Sequence, residues 1–495
     1  MRHLLGVDIG SFSAKGVVLD EEGSIIATAQ RKHEMRVPGP GLAEHDAEAD
    51  WWDGFRLLSR RLIDDTGIDP VTIAAVGTSG IGPCALPIDG AGRPIRPAIL
   101  YGVDTRASRE IAELDELLGA DRVFERTGNP LTAQSVGPKI RWLQRHEPDV
   151  CARTRRIVGC PTFLVYRLTG RHVVDHYGAS CYTPCYDLAR RGWANDLLEG
   201  VCPVDWLPEI GWTTDIAGTV TTDAAAATGL AAGTPVIVGT IDAAAEAISV
   251  GVGSPGDLMI MYGTTAFFIQ VNDRPAVDRR CWAAPFLFPE GWVTMGGIAT
   301  GGALTEWFRS EFAQLGNEAS AFERLVEEAA VSPPGANGLI VLPYFSGERT
   351  PINNPLAKGM FFGLTLAHHR GDLYRAVIEG IGHAVRHNLD TFAEVAPARR
   401  VYAVGGGVKN PLWTQCVSDI SGVVQAVRTH TIGASLGSAF LAGVGACVFD
   451  RDDIETINPV RSVVSPRAEL RDRYDADHAA YLMLYERTRD LMAGR

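Results

Sequence analysis

Short apolar runs that stop at small or polar turns alternate along the chain with stripes of helical spacing. Residues 4–10 (LLGVDIG) form such a run with Asp8 near its end. A tight polar turn follows at 11–15 (SFSAK), and further runs occupy 16–20 and 24–30. Strand, hydroxyl-rich turn, strand, turn, strand predicts an antiparallel meander. Over residues 46–66 the spacing becomes helical, with Trp51, Trp52, Phe55, Leu58 and Leu62 on one stripe and Gly67 as the stop. A buried strand at 71–76 then ends in Gly77-Thr78-Ser79-Gly80, and residues 84–88 and 95–101 predict a hairpin. Residues 131–145 and 162–168 read as helices of an insertion. Residues 175–186, rich in His, Tyr, Ser and Thr, suit a loop over a polar site.

The second half repeats the opening layout. An apolar run at 236–238 delivers Asp242 to a strand end, and a small-residue helix at 243–248 follows. Beyond the Gly/Pro linker 251–256, residues 258–263, the turn Gly263-Thr264-Thr265 and residues 267–271 again read strand, hydroxyl-containing turn, strand. Two such units predict an α/β protein of two duplicated domains, 1–250 and 251–495, with their turns facing each other across a cleft. A glycine-rich stretch at 296–302, containing Gly301, precedes a helix at 303–308. A polar loop at 344–351 follows the strand at 339–342, and residues 372–389 form an amphipathic helix. A strand at 401–404 runs into Gly405-Gly406-Gly407 and Asn410, then a helix at 412–420. Residues 433–443 (GASLGSAFLAG) predict a helix built for close packing, and a charged tail helix carries Tyr474, Tyr481, Leu482 and Leu484 to dock it.

At 495 residues the chain exceeds one ordinary core. With 46% hydrophobic and 21% charged residues it falls outside the disordered and membrane classes. A net charge of −13 argues against a nucleic-acid surface, which needs a basic face. It leaves room for phosphates held by backbone N–H groups. The nine cysteines form no CxxC pair, and Cys181 and Cys185 complete no zinc set, so reduced thiols are expected. The first strand begins within three residues and no run is long enough to span a bilayer. A cytoplasmic protein with no membrane partner is the expectation.

The 11–15 turn matches neither the dinucleotide nor the P-loop fingerprint, yet Ser11, Ser13 and Lys15 can cradle phosphate through hydroxyls and backbone N–H groups. Asp104 and Arg106, one residue apart after a strand, suit either a polyhydroxylated ligand or an ion pair. Asp242 suits either a helix N-cap or a strand-end catalytic carboxylate, and a helix N-terminus would depress its pKa. The triple glycine lets a ligand approach the backbone.

Seven blocks in order, GVDIGSFSAKGVVLD, LYGVDTRA, VGTIDAAAEAISVG, YGTTAFF, YFSGERTP, RAVIEGIGHAVRHN and GGGVKNPLWTQCVSDISG, resemble the FGGY-type carbohydrate kinases of the actin-like ATPase superfamily, in their xylulokinase-like subgroup. The resemblance covers nearly the whole chain. It implies two ribonuclease-H-like domains flanking a cleft, with sugar bound mainly by the first and ATP by the second. It implies Asp242 as the base that takes the acceptor proton and Asp8 as the Mg²⁺-side carboxylate. Ser11, Ser13, Lys15, Gly263, Thr264 and Thr265 match the two phosphate turns. Gly301, Gly405, Gly406 and Asn410 fall on the nucleotide side. Ser79, Gly80, Tyr101, Asp104 and Arg106 fall on the sugar side. The family's substrate-contacting histidine is replaced by Pro83, which has no side-chain donor or acceptor. The implied acceptor is a ketopentose such as xylulose or ribulose, with a polyol, a tetrose derivative or a sugar acid as alternatives. A non-kinase ATPase or phosphatase of the same fold is the more distant reading, and a homodimer is left open.

Overall fold

In the computed structural model, which describes residues 1–313 and 320–493, the opening runs pair as the meander requires. β1 (His3–Ile9), β2 (Ser13–Asp20) and β3 (Ile25–Lys32) are antiparallel neighbours. The stripe carrying Phe55, Leu58 and Leu62 becomes α1 (Asp53–Thr66), which ends at Gly67 in the left-handed conformation. Trp51 and Trp52 sit one step earlier, in a π-helical turn (Ala47–Trp52) whose first N–H groups are accepted by Asp46. β4 (Ile73–Gly80) lies parallel to β1, placing Ser79 opposite Asp8. The sheet continues through β5 (Ile216–Thr219) and β6 (Pro235–Ile237) in the order β5-β6-β4-β1-β2-β3, and Thr240–Ile241 pairs with the end of β4. α2 (Asp242–Ser249) follows.

The second sheet is built alike. β7 (Asp257–Tyr262) and β8 (Ala266–Asn272) flank the second hydroxyl turn. β9 (Trp282–Pro285) and β10 (Trp292–Ile298) come next, then the long buried helix α3 (Arg370–Ala393). β11 (Arg400–Val404), α4 (Pro411–Ser421) and β12 (Gln425–Arg428) precede α5 (Ala434–Gly445), β13 (Val460–Val464) and the terminal helix α6 (Arg471–Ala493). Strand order is β9-β10-β8-β7-β11-β12-β13. Without the added edge strand β9, this repeats the first sheet strand for strand: a three-stranded meander, two parallel additions and an antiparallel edge. Tyr474 and Tyr481 dock α6, each fully buried; the Tyr474 hydroxyl donates to Glu379 at 2.7 Å.

One expectation is sharpened and one corrected. The strand expected from residue 71 begins at Ile73 and ends, as expected, in Gly77–Gly80, where the missing side chain of Gly77 lets α5 pass directly over it. Residues 175–186 are not a loop throughout. Asp175 ends a strand (Val173–Asp175), and its carboxylate accepts the Gly178 N–H, starting the short helix His176–Ser180.

α5 belongs to the second half of the chain yet packs under the first sheet, against β1, β4 and α2. A Cβ on Gly6 would stand 2.2 Å from the Ser435 carbonyl oxygen, one on Gly77 2.0 Å from that of Ser438, and one on Gly437 1.9 Å from that of Ala245. Backbone therefore meets backbone on both faces of the helix. Gly77→Ala is expected to destabilise the protein by about 1–3 kcal/mol or more, since neither strand nor helix can yield. Thermal melting checks this, with exposed Gly170→Ala, where nothing lies within 4 Å but φ is +78°, as the conformational control.

Candidate active site

Between the two sheets lies a cavity of about 350 Å³. Asp8 and Ser11 from the first meander, Tyr101, Asp242 and Glu246 from α2, Thr265 from the second turn and Arg349 all line it. The far wall is apolar, formed by Met261, Phe267, Trp282 and Met295. Ser180, Cys181 and Thr183 also border the cavity, so the stretch beginning at Asp175 meets the site although it is not a simple loop. Pro83 lines it as well and offers no side-chain donor or acceptor.

Asp8 ends β1, and its Oδ1 accepts the Ser79 hydroxyl at 2.8 Å. Burial pushes its carboxyl up to about 6, while the Ser79 bond and Lys15 act in the opposite direction. Asp242 is the first residue of α2 rather than its cap; its Oδ1 accepts only the adjacent Ala243 N–H, at 2.7 Å. Burial first, and the Asp8 carboxylate second, raise it well above the usual range. The expected depression by the helix N-terminus is therefore overturned, because desolvation and a like charge outweigh the dipole. Glu246 follows one turn later on the same face and is raised to about 7 by burial and by Asp8. Three proton-hungry carboxylates thus share one cavity, a pattern typical of functional sites.

The remaining sequence candidates divide into two groups. Ser13 and Lys15 open β2, with Lys15 opposite Asp8 in register. Gly263 and Thr264 form the second turn, whose carbonyls accept the N–H groups of Gly302 and Gly301 at 2.8 and 2.9 Å. Gly405 adopts φ +96° beside the Tyr262 backbone, where any Cβ would lie 2.6 Å from its carbonyl oxygen. Gly406 is open, and Asn410 accepts the Leu412 and Trp413 N–H groups at the start of α4. These residues follow β7 and β11 side by side, outside the cavity lining.

Asp104 and Arg106 do not line the cavity. The Asp104 side chain is fully buried and holds Arg106 in a two-pronged pair, its oxygens also accepting the Ala43 and Arg106 N–H groups. Arg106 pairs with Glu44 too and lies over the Trp142 ring. Gly80 meets Cys160, where a Cβ would sit 2.6 Å from its sulfur. Tyr101 does reach the cavity, with its hydroxyl 3.4 Å from that of Ser11. Glu246, Gln134 and Arg349 were missed in the sequence. Glu246 was legible, standing four residues after Asp242 on one helix face. Gln134 carried no signal.

Among the described residues no group of three or more Asp, Glu, His or Cys side chains could hold a metal ion by itself. A hard cation that takes one carboxylate and completes its shell with phosphate oxygens and water still fits the buried, proton-hungry Asp8. No described helix is long and apolar enough to cross a membrane.

Two duplicated sheets, each presenting a hydroxyl turn to a carboxylate-lined cleft, define the actin-like class of phosphate-handling enzymes. The chain belongs to the FGGY family of carbohydrate kinases, ATP-dependent sugar phosphotransferases. The family's N-terminal domain model matches residues 3–249 and its C-terminal domain model residues 258–446. The xylulose kinase of Escherichia coli K12 is 31% identical over 99% of this chain and 100% of its own length. The gluconokinase of Bacillus subtilis 168 is 26% identical, over 89% and 88%. The crystal structure of xylulose kinase from Rhodospirillum rubrum superposes with a TM-score of 0.93 at 30% identity, covering 99% of this chain and 100% of that one.

Carboxylates with raised pKa bind protons more tightly folded than unfolded. Their contribution to stability is present below the ordinary carboxylate range and lost as pH rises through about 6 for Asp8 and about 7 for Glu246. The ligand-free melting temperature is expected to fall over that window, and to fall less in Asp8→Asn; identical pH profiles for the two proteins would refute this. Asp104→Ala, which leaves the Arg106 guanidinium with Glu44 alone and the buried Ala43 N–H without its acceptor, is expected to cost about 1–3 kcal/mol of stability while leaving the acceptor KM nearly unchanged.

Proposed function

We propose that this protein transfers the γ-phosphate of ATP to a hydroxyl of a small sugar, a ketopentose such as xylulose or ribulose, with Asp242 as the general base. One observation carries the reading: Asp242 lines the same cavity as Ser11 of the first turn and Thr265 of the second. A hydroxyl seated against Asp242 would face the phosphates held between those turns.

In-line transfer of a phosphoryl group passes through a loose transition state, so positioning supplies most of the rate. Asp242 orients the acceptor hydroxyl and receives its proton late. Burial and the neighbouring Asp8 raise its affinity for that proton above that of a solvated carboxylate. Ser11, Ser13 and Lys15 would hold phosphate on one side and Gly263, Thr264 and Thr265 on the other. Gly301, Gly405, Gly406 and Asn410 would leave room for the rest of the nucleotide. Asp8, fixed by Ser79, would hold Mg²⁺, which supplies charge neutralisation at the phosphates when bound. Tyr101 and Gln134 would bound the acceptor on the first domain's wall. Asp104, Arg106 and Gly80 would shape that wall from behind.

A sugar acid or polyol is the second reading, favoured by Pro83 in the cavity and by the gluconokinase relative. ADP release measured across ketoses, polyols and sugar acids separates them, and turnover indifferent to every acceptor would defeat the kinase reading. Asp242→Ala is expected to lower acceptor-dependent kcat by about 10²–10⁴-fold with ATP binding retained. Near-normal turnover in that variant would remove Asp242 from the role.

A further inference from the structure

Arg349 stands in the cavity without a partner. Its guanidinium makes no hydrogen bond and no ion pair among the described residues, although it is largely buried. A guanidinium has five N–H donors, no acceptor, and a charge it cannot shed. Leaving such a group buried and unpaired is costly.

The backbone beneath it is fixed. Glu348 Oε1 accepts the N–H groups of Ala299 and Arg349, both at 2.7 Å, and the Thr350 hydroxyl bonds Asn388 at 2.6 Å while accepting the Gly297 N–H at 2.7 Å. This ties the loop to the end of β10, so the side chain projects from a rigid base. Glu348 is the adjacent carboxylate, yet it forms no ion pair with Arg349, and its Oε2 has no partner at all. Burial pushes Glu348 up to about 8, with its two accepted backbone N–H groups and Arg349 acting in the opposite direction. The other ionisable group acting on Arg349 is Tyr101, on the opposite wall. Neither Asp8 nor Asp242 forms an ion pair with Arg349, so its donors stand free in the cavity that Tyr101 lines from the first domain.

Resting on the kinase reading above, we propose that Arg349 is an acceptor-binding residue supplied by the second domain. It donates to oxygens of the acceptor opposite Tyr101, so that the sugar is gripped from both walls. Because no carboxylate among the described residues pairs with it, acceptors bearing a carboxylate at that end are the class it holds best. Sugar acids then join neutral ketoses as ligands of the site.

Calorimetric binding needs no turnover and so tests this apart from the kinase reading. A five-carbon aldonate is expected to bind wild-type protein at least about tenfold more tightly than the matching neutral pentitol, the gain typical of a charge-assisted hydrogen bond. In Arg349→Ala the two should bind alike, and Arg349→Lys should recover part of the difference. With the best acceptor in steady state, Arg349→Ala should raise the acceptor KM about tenfold or more while the ATP KM stays within about twofold. Equal binding of the two ligands to wild type overturns the proposal. So does a fall in kcat with the acceptor KM unchanged, which would place Arg349 on the phosphoryl group. ADP binding at wild-type strength confirms that each variant is folded.

Discussion

Everything in the cleft depends on how closely α5 approaches the first sheet. Where Gly6 and Gly77 on the strands and Gly437 on the helix leave no side chain, backbone atoms come into direct contact, and a helix from the second half of the chain becomes part of the first domain's floor. The contact positions chemistry as well as mass. The Ser438 hydroxyl of α5 donates to Ser79 at 2.8 Å, and Ser79 donates to Asp8 at the same distance. A buried hydroxyl relay thereby fixes the orientation of the carboxylate at the phosphate turn, and it does so from an element encoded more than 400 residues later. Ala434, the first residue of that helix, reaches the cavity and meets Glu246.

The electrostatics of the cavity follow from this tight enclosure. Asp8, Asp242 and Glu246 are desolvated by the protein around them and mutually repelling, and Lys15 is the cation that moderates two of them. On the opposite wall Arg349 is equally short of a counter-charge. A negative cluster and a positive group thus share one small space without pairing. Such an arrangement is poorly suited to the empty state and well suited to a cation, a phosphate chain and an oxygen-rich acceptor arriving together.

Much of this was legible in the sequence, for identifiable reasons. The meanders could be read because short apolar runs separated by hydroxyl turns have few alternative folds, and the two copies supported each other. The small-residue helix at 433–443 declared close packing, although not what it would pack against, since the sequence carries no sign that α5 crosses to the first sheet. Asp242 is recognisable from its strand-end position, but its pKa moves opposite to the direction the sequence suggests: the helix N-terminus is visible in the sequence, while burial and the approach of Asp8 are tertiary facts. Asp104 and Arg106 show the opposite case. Their spacing suits a ligand, and only the fold reveals that Ala43, Glu44 and Trp142 close around them. Arg349 stands in the polar loop 344–351, and its significance rests on what it fails to touch.

One contact at the cavity wall has a mechanical consequence. Asn129, on the first domain, donates to the Ala283 carbonyl at 2.8 Å and accepts the Ala283 N–H at 3.0 Å, and Leu188, Tyr186 and Trp292 pack around the pair. Both hydrogen bonds cross from one half of the molecule to the other. They do not stand alone: on the same side the Tyr177 hydroxyl donates to Met295 Sδ at 3.1 Å and the Arg191 guanidinium donates to the Pro289 carbonyl at 2.6 Å. Any separation of the walls must break this row of bonds or turn about it, so the seam resists shear along the cleft more than a single contact could.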